Sequence, residues 1–382
     1  MIYLDHAAAT PLDERVLVVM KPYLSDCFYN PSSPYSPAVE VRRSYEHAKS
    51  RIAQSIGAKS ENLIMTAGAT ESINIAFASV SGHVVVPAIE HEAVLESARQ
   101  HEHTLVAVDE SGCVKVEDVV AAIRPDTQLV SVALANNELG TLQPVREVSQ
   151  ALQAIKKHRR EQGNDTPLIF HCDAAQGVGL VDVSVSSLGV DLLTLNAAKM
   201  YGPKQVGLLW AASHVDLHPL HVGGGQESGK RSGTENVAGV VGFAKALELA
   251  VASRKEEAKR LEALRDSLER KLIKVFPQAV VSGNRKKRLP NYLHISFPGL
   301  DAERLIFLLE SRGVLVASGS ACAANKGTRS HVLVAMGLPS EIADGSLRIT
   351  LGHGSTENNI KLAAEYITET ITNEYERVNN NE

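Results

Sequence analysis

The sequence has few cysteines, and none of them are spaced like a disulfide framework or a zinc site. Only four cysteines occur in 382 residues, and no two form the C-x-x-C pair that many zinc sites and redox motifs share. Among the histidines, His101 and His103 lie closest together, but side chains two positions apart on a helix diverge. We expect the solvated end of a helix there, and the sequence predicts no metal site.

Long apolar runs and an excess of positive charge are also lacking. No run approaches the length that crosses a bilayer, and the N-terminus shows neither the basic start nor the apolar stretch of a signal peptide. The formal net charge is -5, which argues against a nucleic-acid or anionic-membrane surface as the main partner. We therefore expect a cytoplasmic protein with neither nucleic acid nor a membrane as a partner.

What the chain does contain is an alternation of short apolar runs with helical stretches. The predicted strands are Asn62–Thr66, Val84–Val86, Leu105–Val108, Leu129–Leu134, Leu168–Cys172, Asp191–Leu195 and Val206–Trp210. Apolar strands separated by helices predict an α/β fold with a mostly parallel central sheet and helices on both faces. In such folds, ligands bind beyond the carboxyl ends of the strands.

The length and the change of pattern near the C-terminus predict two domains. We expect a large cofactor-binding domain over residues 1–250 and a small α+β domain over residues 251–382, with residues 1–15 as a candidate for packing on the small domain. A helical stretch over about residues 235–276 leads into the small domain. Within it, we expect a mobile, exposed loop around Cys322, since small residues flank this cysteine on both sides.

A lysine follows closely on one of the predicted buried strands. The apolar run that begins at Leu192 stops at Asn196, and Lys199 precedes a Gly-Pro turn. In a partly desolvated pocket, the ammonium of a lysine loses hydration and its pKa falls, so that the free amine can form a Schiff base with an aldehyde cofactor. A single lysine in such a connection is usually solvated, so this hypothesis depends on the residues that accompany it.

Other strand ends supply matching groups. Polar side chains follow the strands at Glu90–Glu92, Asn136–Gly140 and Asp173–Gln176. Pyridoxal phosphate requires a lysine, an acid that keeps its ring nitrogen protonated, and an anion site for its phosphate. Lys199, Asp173 and the helix start at Ala69–Thr70 meet these needs, because free N–H groups at a helix start favour phosphate. The imidazole of His91 is placed to stack on the ring and move protons.

Two further segments resemble sites for a nucleotide and for nucleic acid, but neither interpretation is favoured. From Gly224 the chain reads G-x-x-x-x-G-K, but Arg231 stands where a nucleotide-binding loop needs Ser or Thr for magnesium. We expect a flexible, anion-tolerant loop there. The basic run Arg285–Arg288 lies beside Gly283 and Pro290 and is expected to be a solvated loop.

Taken in order, these motifs resemble the cysteine desulfurases of the pyridoxal-phosphate-dependent class V aminotransferase group. The resemblance covers the chain from Tyr3 to about Gly352. It is carried by Gly68–Glu71, Glu90–His91, Asn136–Gly140, Asp173–Gln176, Lys199, Gly202–Lys204, Arg231–Thr234 and Ser318–Cys322. It implies the type I fold of these enzymes, and the loop ending at Cys322 is similar to that of the subgroup that feeds iron-sulfur cluster assembly and tRNA thiolation.

The resemblance also implies a role for each matching residue. Lys199 would hold the cofactor, Asp173 would pair with the ring nitrogen, Gln176 would bond the ring hydroxyl and His91 would stack on the ring. Phosphate contacts would come from Ala69, Thr70 and Asn196, and from Thr234 of the other subunit of a homodimer. Asn137 and Arg348 would bind the carboxylate of L-cysteine, and Cys322 would accept its sulfur as a persulfide for an iron-sulfur scaffold or a sulfur carrier.

One departure from the family pattern touches the cofactor site. The family usually has Ser-x-His-Lys where this chain has Asn196, Ala197, Ala198 and Lys199. Asn196 is able to replace one phosphate contact, but Ala198 cannot replace an imidazole, so we expect weakened cofactor retention. The alternatives are a selenocysteine lyase or aminotransferase of the same fold, which would not depend on Cys322, and a degenerate scaffold, which Ala198 favours.

Overall fold

The structure is a computed structural model that describes residues 1–319 and 329–380. The helices of this part are α1 (Glu14–Met20), α2 (Ser36–Ser55), α3 (Ala69–Ala78), α4 (Glu92–Ala98), α5 (Val116–Ala121), α6 (Val145–Glu161), α7 (Val185–Leu188), α8 (Val237–Val275), α9 (Ala302–Ser311), α10 (His331–Ala335), α11 (Ser340–Asp344) and α12 (Glu357–Asn379). Its strands are β1 (Ile2–Tyr3), β2 (Leu63–Thr66), β3 (His83–Pro87), β4 (His103–Val106), β5 (Thr127–Ser131), β6 (Ile169–Asp173), β7 (Leu192–Asn196), β8 (Gly207–Ala211), β9 (Val280–Val281), β10 (Tyr292–Ser296), β11 (Val314–Leu315) and β12 (Ser346–Thr350).

The centre of the fold is a seven-stranded sheet in the order β2-β8-β7-β6-β5-β3-β4. Its strands pair in parallel from β7 through β6, β5 and β3 to β4, whereas β8 runs antiparallel to both of its neighbours. The predicted mostly parallel sheet is therefore confirmed.

Consecutive apolar residues of the central strands enter two different cores, as the alternation of side chains along a strand requires. On β7, Leu193 packs into a core with α2, α6 and α8, whereas Leu192 packs into a core with α3 and α4. Both residues are fully buried. Helices thus cover both faces of the sheet, which leaves the ends of the strands as the place for a ligand site.

A third core lies around the three-stranded sheet β12-β10-β9. Leu264 and Leu268 from the C-terminal half of α8 pack there, together with Leu4 near the N-terminus. Strand β1 pairs in parallel with β11, so the first residues of the chain lie against a strand close to Cys322 in sequence. Helix α8 runs without interruption across residues 250 and 251, and the division into two domains at that point stays a prediction.

One local expectation is wrong, and a second holds except at one residue. Helix α4 ends at Ala98, and His103 opens strand β4, which pairs with β3 at the edge of the sheet. In the basic run, Arg285, Lys286 and Lys287 are exposed as expected, but Arg288 is not solvated: its side chain is 5% exposed and pairs with buried Glu269 of α8 at 2.5 Å. A buried carboxylate needs a charged partner, and the basic run supplies it.

Among the residues that the structure describes, no helix combines the length and the apolar character that a membrane crossing requires. The cytoplasmic location stays a prediction from the sequence.

Candidate active site

A cavity of about 350 Å³ opens at the carboxyl ends of β5, β6 and β7. Its volume lies within the range of about 300–1,000 Å³ that is typical of small-molecule sites. The predicted site residues that line it are Ala69, Thr70, His91, Asn137, Asp173, Gln176, Asn196, Lys199 and Arg348. The topology of the sheet therefore brings together residues from widely separated parts of the chain, and their individual roles stay predictions.

Lys199 reaches the cavity through a short 3₁₀ turn that follows β7. The Asn196 side chain starts this turn, because its Oδ1 accepts a hydrogen bond from the backbone N–H of Ala198 at 3.1 Å. Lys199 Nζ donates to the carbonyl oxygens of Ala7 and Ala8, both at 2.7 Å. Burial lowers the pKa of the Lys199 amine, and the positive charge of Arg348 lowers it further. The neutral, nucleophilic form of the amine is therefore reached at a lower pH here than in water.

Asp173 is the last residue of β6 and contributes a buried carboxyl group to the cavity. It accepts a hydrogen bond from the backbone N–H of Ala175 at 3.0 Å. Burial raises the pKa of Asp173, and the nearby His91 and Lys199 oppose that shift. A carboxyl in this setting favours a cationic partner, because a positive charge offsets the cost of burying the carboxylate.

The Gln176 side chain is held from both ends. Its Nε2 donates to the carbonyl oxygen of Ala7 at 3.2 Å, and its Oε1 accepts from the hydroxyl of Tyr292 at 2.8 Å. These bonds link the loop after β6 to the N-terminal segment and to β10, so that Gln176 has a fixed place in the wall.

His91 forms the N-cap of α4. Its Nδ1 accepts a hydrogen bond from the backbone N–H of Ala93 at 3.1 Å, which assigns the ring proton to Nε2. Burial lowers the pKa of His91, the charge of Lys199 acts in the same direction, and that of Asp173 opposes it. The side chain is thus a neutral, flat ring at the cavity wall.

The N-terminus of α3 offers an anion site on the same cavity. Gly68 precedes the helix with φ of +150°, and a Cβ placed there would meet nothing within 4 Å, so the space in front of the first turn is open. Gly207 has no such room, since its Cβ would lie 2.6 Å from Gly68 Cα. Ala69 and Thr70 border the open space, and the free N–H groups of a helix start attract phosphate.

Arg348 projects from β12 and is buried. Its Nη2 pairs with Asp5 Oδ1 at 2.7 Å, and its Nη1 donates to the carbonyl oxygen of Asn137 at 3.1 Å. Its Nε has no hydrogen-bond partner among the described residues. Because an unsatisfied buried donor is costly, this group is suited to donate a hydrogen bond to an anionic ligand at the cavity.

Of the predicted site residues that the structure describes, one does not line the cavity. Thr234 is exposed to solvent and does not border the cavity of its own chain. Cys322 and the predicted loop around it lie in residues 320–328, outside the described residues.

The sequence interpretation also missed several wall residues: Ala7, Ala8, Glu138 and His331. Glu138 lies within the motif Asn136–Gly140, which was a usable signal, whereas nothing in the side-chain pattern marks the two alanines, which act through their carbonyl oxygens.

Together these groups fit pyridoxal phosphate. The buried amine of Lys199 suits an aldehyde, the buried carboxyl of Asp173 suits a protonated ring nitrogen, and the open helix start at Gly68 suits a phosphate. The fit is incomplete at one point, since Asn196 Oδ1 already accepts a bond from Ala198 and Ala198 has no polar side chain.

Comparisons with known proteins show which family the chain belongs to. The sequence matches the family model of class-V aminotransferases over residues 2–362. The cysteine desulfurase IscS of Dictyoglomus turgidum is 40% identical over 382 residues, which cover 97% of this chain and 94% of that protein. A solved NifS-like protein superposes with a TM-score of 0.88 at 34% identity and covers 97% of this chain and 99% of its own. A structure of SspA in complex with cysteine has a TM-score of 0.77 at 32% identity, over 92% of this chain and 99% of that one.

The family match extends over nearly the whole chain, and the cavity lies where an α/β sheet of this order places a ligand. The chain belongs to the aminotransferase class-V family, a family of enzymes that depend on pyridoxal phosphate.

Proposed function

We propose that this protein is a cysteine desulfurase, which removes sulfur from L-cysteine, forms L-alanine and leaves a persulfide on Cys322. The observation that carries the proposal is the shared cavity of the Lys199 amine and the Asp173 carboxyl, in a chain that is 40% identical to a cysteine desulfurase over almost its full length.

The cofactor and the described residues would each have a separate role in the reaction. When bound, pyridoxal phosphate would supply an aldehyde for the amino group of cysteine and a ring that accepts the electron pair released from Cα. Asp173 would keep the ring nitrogen protonated, and His91 would lie against the ring. The Lys199 amine, with its pKa lowered by burial, would take the Cα proton as a general base. The start of α3 would hold the phosphate.

The sulfur transfer balances without an external oxidant. The Cys322 thiolate would attack the sulfur of the substrate, so that a sulfur–sulfur bond forms and the carbon–sulfur bond breaks. The electron pair of the broken bond stays on the substrate carbon, which takes up a proton and becomes the methyl group of alanine. Arg348 and Asn137 would hold the substrate carboxylate during this exchange.

A homodimer and an acceptor protein complete the proposal. Thr234 is exposed and does not border the cavity of its own chain, which suits a residue that serves the cavity of a second copy. The persulfide would pass from Cys322 to an iron-sulfur scaffold or to a sulfur carrier for tRNA thiolation.

The test is product analysis of the purified protein with pyridoxal phosphate and L-cysteine. We expect alanine and, with a reductant present, sulfide in equal amounts. The variant Lys199→Ala should lose both products, whereas Lys204→Ala, at an exposed lysine five positions later, should keep them. If Cys322→Ala released both products at an undiminished rate, a lyase of the selenocysteine type would be favoured. A protein that binds no pyridoxal phosphate would be a scaffold.

A further inference from the structure

A buried carboxyl group in the cavity wall contacts both ends of the segment that carries Cys322. Glu138 is fully buried, and its Oε2 accepts a hydrogen bond from Ser330 Oγ at 2.5 Å. On the other side, a Cβ placed on Gly319 would collide with the same oxygen. Gly319 directly precedes segment 320–328, and Ser330 follows it after one further residue, Arg329. Glu138 therefore lies between the two ends of that segment.

The Ser330 contact is directional. The Ser330 hydroxyl accepts a bond from the backbone N–H of Leu333 at 3.3 Å, as the N-cap of α10. Its O–H is therefore free to donate to Glu138. Burial raises the pKa of Glu138, and its Oε1 has no hydrogen-bond partner among the described residues. An orphaned buried oxygen carries a free-energy cost, which indicates that this side chain does more than fill space.

The Gly319 end is fixed by a second contact. Arg348 Nη1 donates to the carbonyl oxygen of Gly319 at 3.4 Å and to that of Asn137 at 3.1 Å. The same guanidinium that borders the cavity thus also holds the start of the cysteine segment. Both ends of the segment are attached to the wall that Asn137 and Glu138 form.

The chain between Gly319 and Cys322 is short, so the position of Gly319 affects where Cys322 can lie. Three residues span at most about 11 Å, so the position of Gly319 limits how far the Cα of Cys322 can lie from the cavity. Transfer of sulfur between two thiols depends steeply on their approach, and a misplacement of about 1 Å can cost two orders of magnitude in rate.

We propose that Glu138 is a positioning residue for sulfur transfer: it holds Ser330 and Gly319 at the cavity wall and thereby sets the reach of Cys322 toward the substrate. This inference rests on the proposed function, since it requires Cys322 to be the sulfur acceptor. The proposed role of Glu138 is to place the two ends of the segment, not to react with sulfur.

The experiment compares variants that remove the Glu138–Ser330 hydrogen bond with one that keeps it. Glu138→Ala and Ser330→Ala remove the bond from opposite sides, whereas Glu138→Gln keeps an acceptor of the same size. Asp301→Ala is the matched control, because it removes the N-cap of a helix elsewhere in the C-terminal region, where Asp301 accepts from Arg304 N–H at 2.8 Å. The readout is the rate of persulfide formation on Cys322 in a single turnover, at several concentrations of L-cysteine.

We expect Glu138→Ala and Ser330→Ala to lower the maximal rate by about tenfold or more, with less than about a threefold change in the cysteine concentration for half-maximal rate. Glu138→Gln should recover most of the rate, and Asp301→Ala should match the unmodified protein. A purely structural role would instead lower the unfolding temperature of Glu138→Ala without lowering the maximal rate selectively over the cysteine concentration for half-maximal rate. If Glu138→Ala fails to fold, Ser330→Ala carries the same comparison.

Two outcomes separate this inference from the proposed function. If the unmodified protein forms no persulfide on Cys322, the proposed function fails and the inference falls with it. If the unmodified protein forms the persulfide and both bond-deleting variants form it equally fast, the inference alone is overturned.

Discussion

The Lys199 ε-amine donates a hydrogen bond to the carbonyl oxygen of Ala8 at 2.7 Å. This contact joins the end of β7 to the N-terminal segment, whose residues Ile2 and Leu4 pack in the C-terminal core. The reactive amine is therefore positioned by backbone from the other end of the chain, and its chemistry depends on how these segments assemble.

The first prediction concerns the pH dependence of that amine. The neutral amine reacts with aldehydes, so cofactor uptake by the cofactor-free protein should rise with pH through the pKa of Lys199. Burial and the charge of Arg348 lower this pKa from the ordinary 10.5, and the midpoint should fall below that of Nα-acetyl-lysine, whose only amine is the ε-amine, measured in parallel. Stopped-flow absorbance with pyridoxal phosphate gives both midpoints. A midpoint at or above that of Nα-acetyl-lysine would refute the lowered pKa.

The second prediction concerns the two departures beside Lys199. Restoring the family pattern with Asn196→Ser and Ala198→His should add contacts to the phosphate, because each hydrogen bond to a charged group contributes about 1.5–3 kcal/mol. The double variant should bind pyridoxal phosphate about tenfold or more tightly. An absorbance titration against the unmodified protein measures the difference, and an unchanged affinity would refute the expected weakening of cofactor retention.

The third prediction concerns a buried acid behind the cavity. Burial raises the pKa of Glu90 to about 8, so the folded protein holds this proton more tightly than the unfolded chain does. The corresponding stability is complete below the ordinary glutamate pKa of 4.5 and is lost as the pH rises toward about 8. Glu90→Gln has no proton to lose and should gain stability relative to the unmodified protein between pH 6 and 9, by up to a few kcal/mol.

Denaturant unfolding at pH 6 and at pH 9 measures the gain in the free energy of unfolding of Glu90→Gln. The control is Glu110→Gln, at an exposed glutamate. A difference between Glu90→Gln and the unmodified protein that does not change with pH would contradict the raised pKa.

The fourth prediction concerns the subunit that Thr234 serves. A mixed dimer of Lys199→Ala and Thr234→Ala chains has one site with an intact lysine that faces the intact threonine of its neighbour. If Thr234 acts across the dimer, the mixture should recover roughly half of the activity of the unmodified dimer per mixed dimer. Each variant alone serves as the control. If Thr234 acts within its own chain, mixing should recover no activity.

The sequence located the parts of the cavity that follow buried strands. Asp173 and Lys199 were identifiable because each follows an apolar run, and the carboxyl ends of neighbouring parallel strands converge. Ala7 and Ala8 were not identifiable, since their carbonyl oxygens contact Lys199 and a backbone atom leaves no trace in the residue pattern.

Contacts between segments that are far apart along the chain could not be predicted from the sequence either. Glu138 stood within a recognised motif, but its partner Ser330 lies 192 positions away, and only the assembled fold brings the two together. Arg288 gave a false signal: a basic run is usually solvated, whereas here a buried carboxylate of α8 takes one member as its partner.

The sulfur that leaves the substrate can be located by mass spectrometry of the protein after one turnover with isotopically labelled L-cysteine. We expect one labelled sulfur on the peptide that contains Cys322, none on the peptides with Cys27, Cys113 or Cys172, and one alanine for each sulfur transferred. Alanine formed with the labelled sulfur on another cysteine, or on none, would overturn the assignment of Cys322 as the sulfur acceptor.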